Sequence, residues 1–155
     1  MKKINILCVG NVKEDYLKSG INEYLKRLSK YYQVSVIEVN EENIFGNNPS
    51  EKEREKIIKL EGEQLLSKLK GYVICLCIEG KQIDSVSFSD YLSKAFLTES
   101  EITFVIGGSY GLSQDVKQKA NLQLSFSKFT FPHQLMRLIL LEQIYRAGTI
   151  ENNTP

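Results

Sequence analysis

The chain has 155 residues, 42% of them hydrophobic and 25% charged, with a formal net charge of +1. That length suits one compact domain with a sizeable core, and no apolar run approaches the roughly 20 residues that a membrane span needs. A net charge so near zero does not by itself announce a nucleic-acid partner.

In chain order, residues 3–9 are an apolar strand that ends in a glycine turn at Gly10. The basic start is followed by too short an apolar run for a signal peptide. Residues 13–30 carry Tyr16, Leu17, Ile21, Tyr24, Leu25 and Leu28 on one helical stripe among charges. Residues 33–39, rich in valine and isoleucine, form a second strand. After a polar loop, Pro49 and Ser50 announce a helix start. Residues 51–70 follow as a strongly charged helix with Ile57, Ile58, Leu65, Leu66 and Leu69 as its apolar face. Its run of glutamates, lysines and arginine from Glu51 is the pattern of a solvated helix face.

Residues 72–78 are a third, wholly apolar strand, and Glu79 to Gln82 turn the chain. A short helix over 87–97 uses Phe88, Tyr91, Leu92 and Phe96. Residues 102–106 make a fourth buried strand, 113–120 a short polar helix and 122–127 a fifth strand. Pro132 then opens a long helix over about 132–147, since proline is welcome in a first helical turn. Strands alternate with helices, and the strands lack a polar face. That combination predicts an α/β fold, a mainly parallel sheet of five to six strands with helices on both faces. Residues 1–155 show no repeat or linker and are expected to form a single domain.

Cys8, Cys75 and Cys77 all sit in apolar strands. Three cysteines without framework spacing fit a reducing compartment, so the chain is expected to be cytoplasmic. Cys75 and Cys77 alternate and share a strand face. With His133 as the only histidine, no metal site is expected. Positive charge collects late: Lys117, Lys119, Lys128, Arg137 and Arg146 face only Glu142 and Glu151 in the last quarter.

Two segments carry chemistry. From Phe104 a buried strand runs into Gly107, Gly108 and Gly111, at the carboxyl end of a parallel strand where α/β folds bind ligands. Ser109 occupies the second glycine position of a dinucleotide fingerprint, so a Rossmann site is disfavoured. Taken alone, the glycines are equally compatible with a tight turn. The second segment runs from Leu124 through an aromatic loop, Phe126 to Phe131, into the helix that starts at Pro132 and His133. His133 lies in the first turn, where the helix dipole favours neutral imidazole. It either packs the helix start or accepts a proton. No nucleophile elbow exists for a hydrolase. Arg137 and Arg146 either orient phosphates or pair with carboxylates; Arg146 lies four residues after Glu142.

The last helix spreads Gln134, Arg137, Glu142, Gln143 and Arg146 around its circumference, with Leu135, Leu138, Ile139 and Leu141 between them. Such a helix is buried on most sides, either within its own subunit or against a second copy; the simple remedy is a homodimer.

Val105 to Leu112, Leu124 to Leu138 and Glu142 to Ala147, at this spacing in so short a chain, resemble the bacterial 23S ribosomal RNA pseudouridine N3-methyltransferase family, the minimal SPOUT class. The likeness spans all 155 residues, including Ile6 to Gly10, Tyr24 to Arg27 and Glu61 to Gln64. It implies a SPOUT α/β fold with a C-terminal trefoil knot, and a homodimer. It implies S-adenosyl-L-methionine as cofactor, held by Leu76, Gly107, Phe126, Ser127, Lys128, Phe129, Thr130 and Phe131. The implied reaction methylates N3 of a pseudouridine in helix 69 of 23S rRNA on the assembled ribosome, without a metal. His133 and Arg137 are the candidates for catalysis. The family ends in a tail reading Tyr-His-Lys after a proline, whereas this sequence stops at Pro155; methyl transfer without the tail is expected to be weak. The competing reading is a regulatory nucleotide-binding module without catalysis, separated from the first by cofactor specificity.

Overall fold

The alternating pattern folds as expected in a computed structural model, which describes residues 1–153. Pro155, on which the expectation about the family's tail rests, lies outside the described residues. The elements are β1 (Lys3–Val9), α1 (Asp15–Leu28), β2 (Gln33–Val39), α2 (Glu51–Leu66) and β3 (Tyr72–Gln82). They continue with α3 (Ser85–Thr98), β4 (Glu101–Ile106), α4 (Gln114–Lys119), β5 (Leu122–Ser125) and α5 (His133–Glu151). The five strands form one sheet in the order β2-β1-β4-β3-β5, and every pairing is parallel.

Because side chains alternate across a strand, the apolar runs feed two cores. Ile4, Ile6 and Cys8 of β1, Ile74 of β3 and Phe104 of β4 meet Ile21, Phe88, Leu140 and Ile144 on the side of α1, α3 and α5. Leu7, Val9, Val73, Cys75 and Val105 meet Leu65 and Val116 on the side of α2 and α4. Cys75 and Cys77 do share one face: Cys75 belongs to the second core and Cys77 packs against it. Within the α1 stripe Leu17, Ile21 and Leu28 are buried, but Tyr16 is 71% exposed.

One local expectation fails. Glu79 to Gln82 do not turn the chain; β3 runs on to Gln82. Leu76 and Lys81 both register with Leu124 of β5, so residues 77–80 bulge out between two paired stretches. A side chain at Gly80 would come within 2.7 Å of the Gln123 backbone, so the strands can approach here only because that residue is glycine.

Three of the five helices among the described residues start at a side-chain cap. Ser50 and Glu53 form a reciprocal capping box on α2, and Asp84 and Ser113 cap α3 and α4. α5 has no side-chain cap and opens after Pro132. It is held instead by packing: Leu138 lies against Gly20 of α1, and the Ser89 hydroxyl donates to the Ala147 carbonyl at 2.9 Å. Leu141 is thus spent inside the subunit, while Leu135, Leu138 and Ile139 stay half-buried.

Candidate functional site

The ends of β3, β4 and β5 open into a cleft of about 950 Å³. It lies at the carboxyl edge of a parallel sheet, where successive strand ends leave backbone groups unpaired. The volume falls within the range of small-molecule and cofactor sites. Leu76 of β3, Gly107 after β4, and Phe126, Ser127, Phe129, Thr130 and Phe131 after β5 all line it. Lys128 is exposed and does not line it.

Three observations fit a nucleoside-sized ligand. First, the turn after β4 is made of backbone. Gly108 bridges to Gly111, and Gly111 has a φ of +90°, a conformation that favours glycine. A side chain at Gly107 would come within 2.8 Å of the Gly111 backbone, so the close approach requires its absence. Second, Leu76, Ile106, Leu112, Leu124 and Met136 give the cleft apolar walls. Third, the loop after β5 is held by its own hydroxyls: Ser125 donates to the Ser127 carbonyl at 3.0 Å, and the Ser127 hydroxyl accepts from the Phe129 amide at 3.0 Å.

His133 lines the cleft and is half-buried, and its Nε2 has no hydrogen-bond partner among the described residues. Burial holds its pKa below the ordinary 6.5; Glu41 pulls it back upward and Arg137 lowers it again. The imidazole is therefore neutral near pH 7.

Arg137 sits elsewhere. It is 3% exposed, donates to Glu38 Oε2 at 2.5 Å and to the Gly10 carbonyl at 3.0 Å, and does not line the cleft. It ties the start of α5 to the ends of β1 and β2. Arg146 pairs with Glu142 at 2.8 Å, one helical turn away.

Sequence reasoning did not find several lining residues. Cys77 lines the cleft, but burial, and then the charge of Glu79, push its thiol upward, so it is no activated nucleophile. Glu79 of the bulge accepts from Lys117 of α4. Arg54 of α2 and Tyr110 of the glycine turn also line the cleft; both came from a segment read as a solvated face or a turn. Glu61 is 3% exposed and pushed upward chiefly by burial, and its Oε2 accepts the Glu42 amide at 3.0 Å. Gln64 accepts the Asn40 amide at 3.3 Å, so Glu61 and Gln64 together fix the loop after β2. No group of three or more potential metal ligands occurs among the described residues. No helix among them is long and apolar enough to cross a membrane.

Comparison with known proteins gives the same reading from another direction. A family model described as a predicted SPOUT methyltransferase matches residues 1–155. Ribosomal RNA large subunit methyltransferase H 1 of Thermoanaerobacter pseudethanolicus is 53% identical, over 97% of this chain and 99% of the relative. Ribosomal RNA large subunit methyltransferase H of Carboxydothermus hydrogenoformans is 51% identical, over 99% and 98%. Among solved structures, a probable methylase family protein from Haemophilus influenzae Rd KW20 superposes with a TM-score of 0.57 at 13% identity. That superposition covers 97% of this chain and 68% of the other, and shows a shared fold. The chain belongs to the SPOUT methyltransferase family.

Proposed function

We propose that this chain is a 23S rRNA (pseudouridine-N3)-methyltransferase that uses S-adenosyl-L-methionine and acts on helix 69 of the assembled ribosome. The observation that carries the reading is the full-length match to relatives named ribosomal RNA large subunit methyltransferase H, at 53% and 51% identity. The cleft at the strand ends supports it, since it is large enough for the cofactor and lined by backbone and apolar groups that suit adenosine. The reading further holds that residues 1–155 form one SPOUT domain with a C-terminal trefoil knot, acting as a cytoplasmic homodimer without a metal.

When bound, S-adenosyl-L-methionine supplies a methyl group activated by its sulfonium charge. The protein's share is positioning. The Gly107–Gly111 turn, Leu76, Phe126, Ser127 and residues 129–131 hold the ligand between strand ends that cannot shift without breaking the sheet. N3 of pseudouridine carries a proton that must leave. His133, which lines the cleft and is held neutral by burial, is the candidate to take it. Arg137 acts behind it, fixing the first turns of α5 through Glu38 and Gly10.

The test is transfer of labelled methyl from the cofactor to ribosomes lacking the modification, with free 23S rRNA as comparison. Label appearing at N3 of a helix 69 pseudouridine, on ribosomes in preference to free RNA, is the expected result. Binding of the cofactor with no transfer to any RNA would favour a regulatory module instead.

A further inference from the structure

Arg54 stands in the first turns of α2, after the Ser50 cap, and its side chain is exposed. Its guanidinium lies over the ring of Tyr110, 5.7 Å from the centroid. Tyr110 is 37% exposed and belongs to the glycine turn that closes β4. Both residues line the cleft. Other stacked cations are spoken for or lie elsewhere: Arg27, over Tyr24, is also paired with Glu23 at 3.0 Å, and Lys56 lies over Phe45, away from the cleft. Arg54 has no carboxylate within ion-pairing distance among the described residues. Glu53, its neighbour in sequence, is taken by the capping box.

A guanidinium laid on an aromatic ring keeps its plane while its N–H edge stays open. That edge suits a phosphate oxygen, which arginine binds through paired N–H groups. On the side of the loop after β5, the lining residue Phe129 is 78% exposed, with exposed Lys128 next to it in sequence. The ends of β4 and β5 flank that of β3, so the turn carrying Tyr110 and the loop carrying Phe129 leave the sheet two strand spacings apart, about 10 Å. A single RNA strand with a splayed base can enter such an opening. From this geometry we infer that Arg54, held over Tyr110, binds a backbone phosphate of the RNA strand whose base enters the cofactor cleft.

The inference rests on the methyltransferase reading above and names a residue through which the substrate is held. Arg54 itself lies outside the late basic segment, and the charged run on α2 then has a use beyond solvation.

The experiment measures methyl transfer to ribosomes lacking the modification, at several salt concentrations, together with calorimetric binding of S-adenosyl-L-methionine. It compares the unsubstituted protein with Arg54→Ala, Arg54→Lys and Tyr110→Ala. Arg54 is exposed, so its variants should unfold at the unsubstituted temperature, which thermal melts check. For Arg54→Ala, KM for ribosomes should rise about tenfold with cofactor affinity unchanged. The slope of log affinity against log salt should become shallower by about 0.7 to 1. Arg54→Lys should keep the salt slope and recover part of KM, whereas Tyr110→Ala should raise KM while leaving the slope intact. Unchanged KM and slope in Arg54→Ala overturn the inference while leaving the methyltransferase reading in place. Lost cofactor affinity in Arg54→Ala also overturns it, by assigning the residue to the cofactor. An unsubstituted protein that binds cofactor but methylates no RNA removes both the reading and the inference.

Discussion

Arg137 and Glu38 are joined by an ion pair of 2.5 Å although 99 residues separate them. The arginine is 4% exposed at its side chain and the glutamate 41%, so the pair has one dry end and one wet end. The same guanidinium also holds the Gly10 carbonyl at 3.0 Å. These contacts lock the first turns of α5, which carry His133, to the ends of β1 and β2. Replacing Arg137 by Ala leaves a cavity and an unpaired carbonyl, whereas the freed Glu38 can turn to water. The expected loss is about 2 to 3 kcal/mol. For a chain of this length the melting temperature should fall by roughly 6 to 12 °C. Glu38→Gln keeps an acceptor and the Gly10 contact but leaves the buried guanidinium without its counter-charge, so it should cost a comparable amount. Thermal unfolding monitored by circular dichroism checks both, and an unchanged melting temperature in Glu38→Gln would contradict the buried-end argument.

The glycine turn yields a binding prediction. Gly107→Val places a branched side chain within 2.8 Å of the Gly111 backbone, so the turn must open. Gly111→Ala meets nothing within 4 Å but adopts a φ of +90° at a strain cost of about 1 kcal/mol. Calorimetry on the unsubstituted chain should show micromolar binding of S-adenosyl-L-methionine, roughly −7 to −8 kcal/mol. Gly107→Val should abolish it, and Gly111→Ala should weaken it severalfold at most. Tighter binding of NAD or ATP than of S-adenosyl-L-methionine would overturn the cofactor assignment.

What could be read in the sequence was whatever a strand or helix imposes on its own residues. The apolar runs of β1, β3 and β4 marked strands buried on both faces, and their parallel pairing followed. Glycines after β4 and aromatics after β5 marked the strand ends that form the cleft. Contacts across the fold were not legible. Glu79 to Gln82 have the composition of a turn, yet the edge strand β5 captures Lys81 and Gln82 in a shifted register. Arg137 sits among apolar neighbours in α5, and nothing local says that Glu38 awaits it. Arg54 belongs to a run whose composition is that of any solvated helix, and only the turn carrying Tyr110 gives it a neighbour. Glu61 shows the same blindness: a glutamate in a charged helix is expected outside, but the loop after β2 supplies the amide that lets it stay inside.

The proposed homodimer confines its interface to part of α5. Leu141 is buried within the subunit, so half-buried Leu135, Leu138 and Ile139 are the three of the four residues that remain for a partner. Ile139 also borders a small hollow with Phe131 and Phe88, continuous with the loop after β5. Light scattering at micromolar concentration should give twice the 17.7 kDa chain mass. Ile139→Glu buries a charge in such an interface and should shift the mass to that of the monomer. If the unsubstituted chain is monomeric, the apolar character of α5 is fully satisfied by α1 and α3.

His133 carries the pH dependence. Burial, the largest influence, and Arg137 hold the imidazole below 6.5 in the folded chain, against the opposing pull of Glu41. Unfolded, it titrates near that value. The folded state therefore excludes a proton that the unfolded state accepts. The stability contribution of His133 is complete above pH 6.5 and declines as pH falls below it. Catalysis should follow the same group. With ribosomes and cofactor saturating, single-turnover transfer should be level from pH 8 down to about 6.5 and fall only on the acid side, where the proton acceptor is lost. His133→Gln keeps the polar shape but cannot take the N3 proton. It should slow transfer by about a hundredfold, remove the acid limb from the residual rate and leave cofactor affinity within a few-fold. A variant that transfers methyl at the unsubstituted rate, or whose acid limb persists, would show that His133 only packs the start of α5 and that the proton leaves by another route.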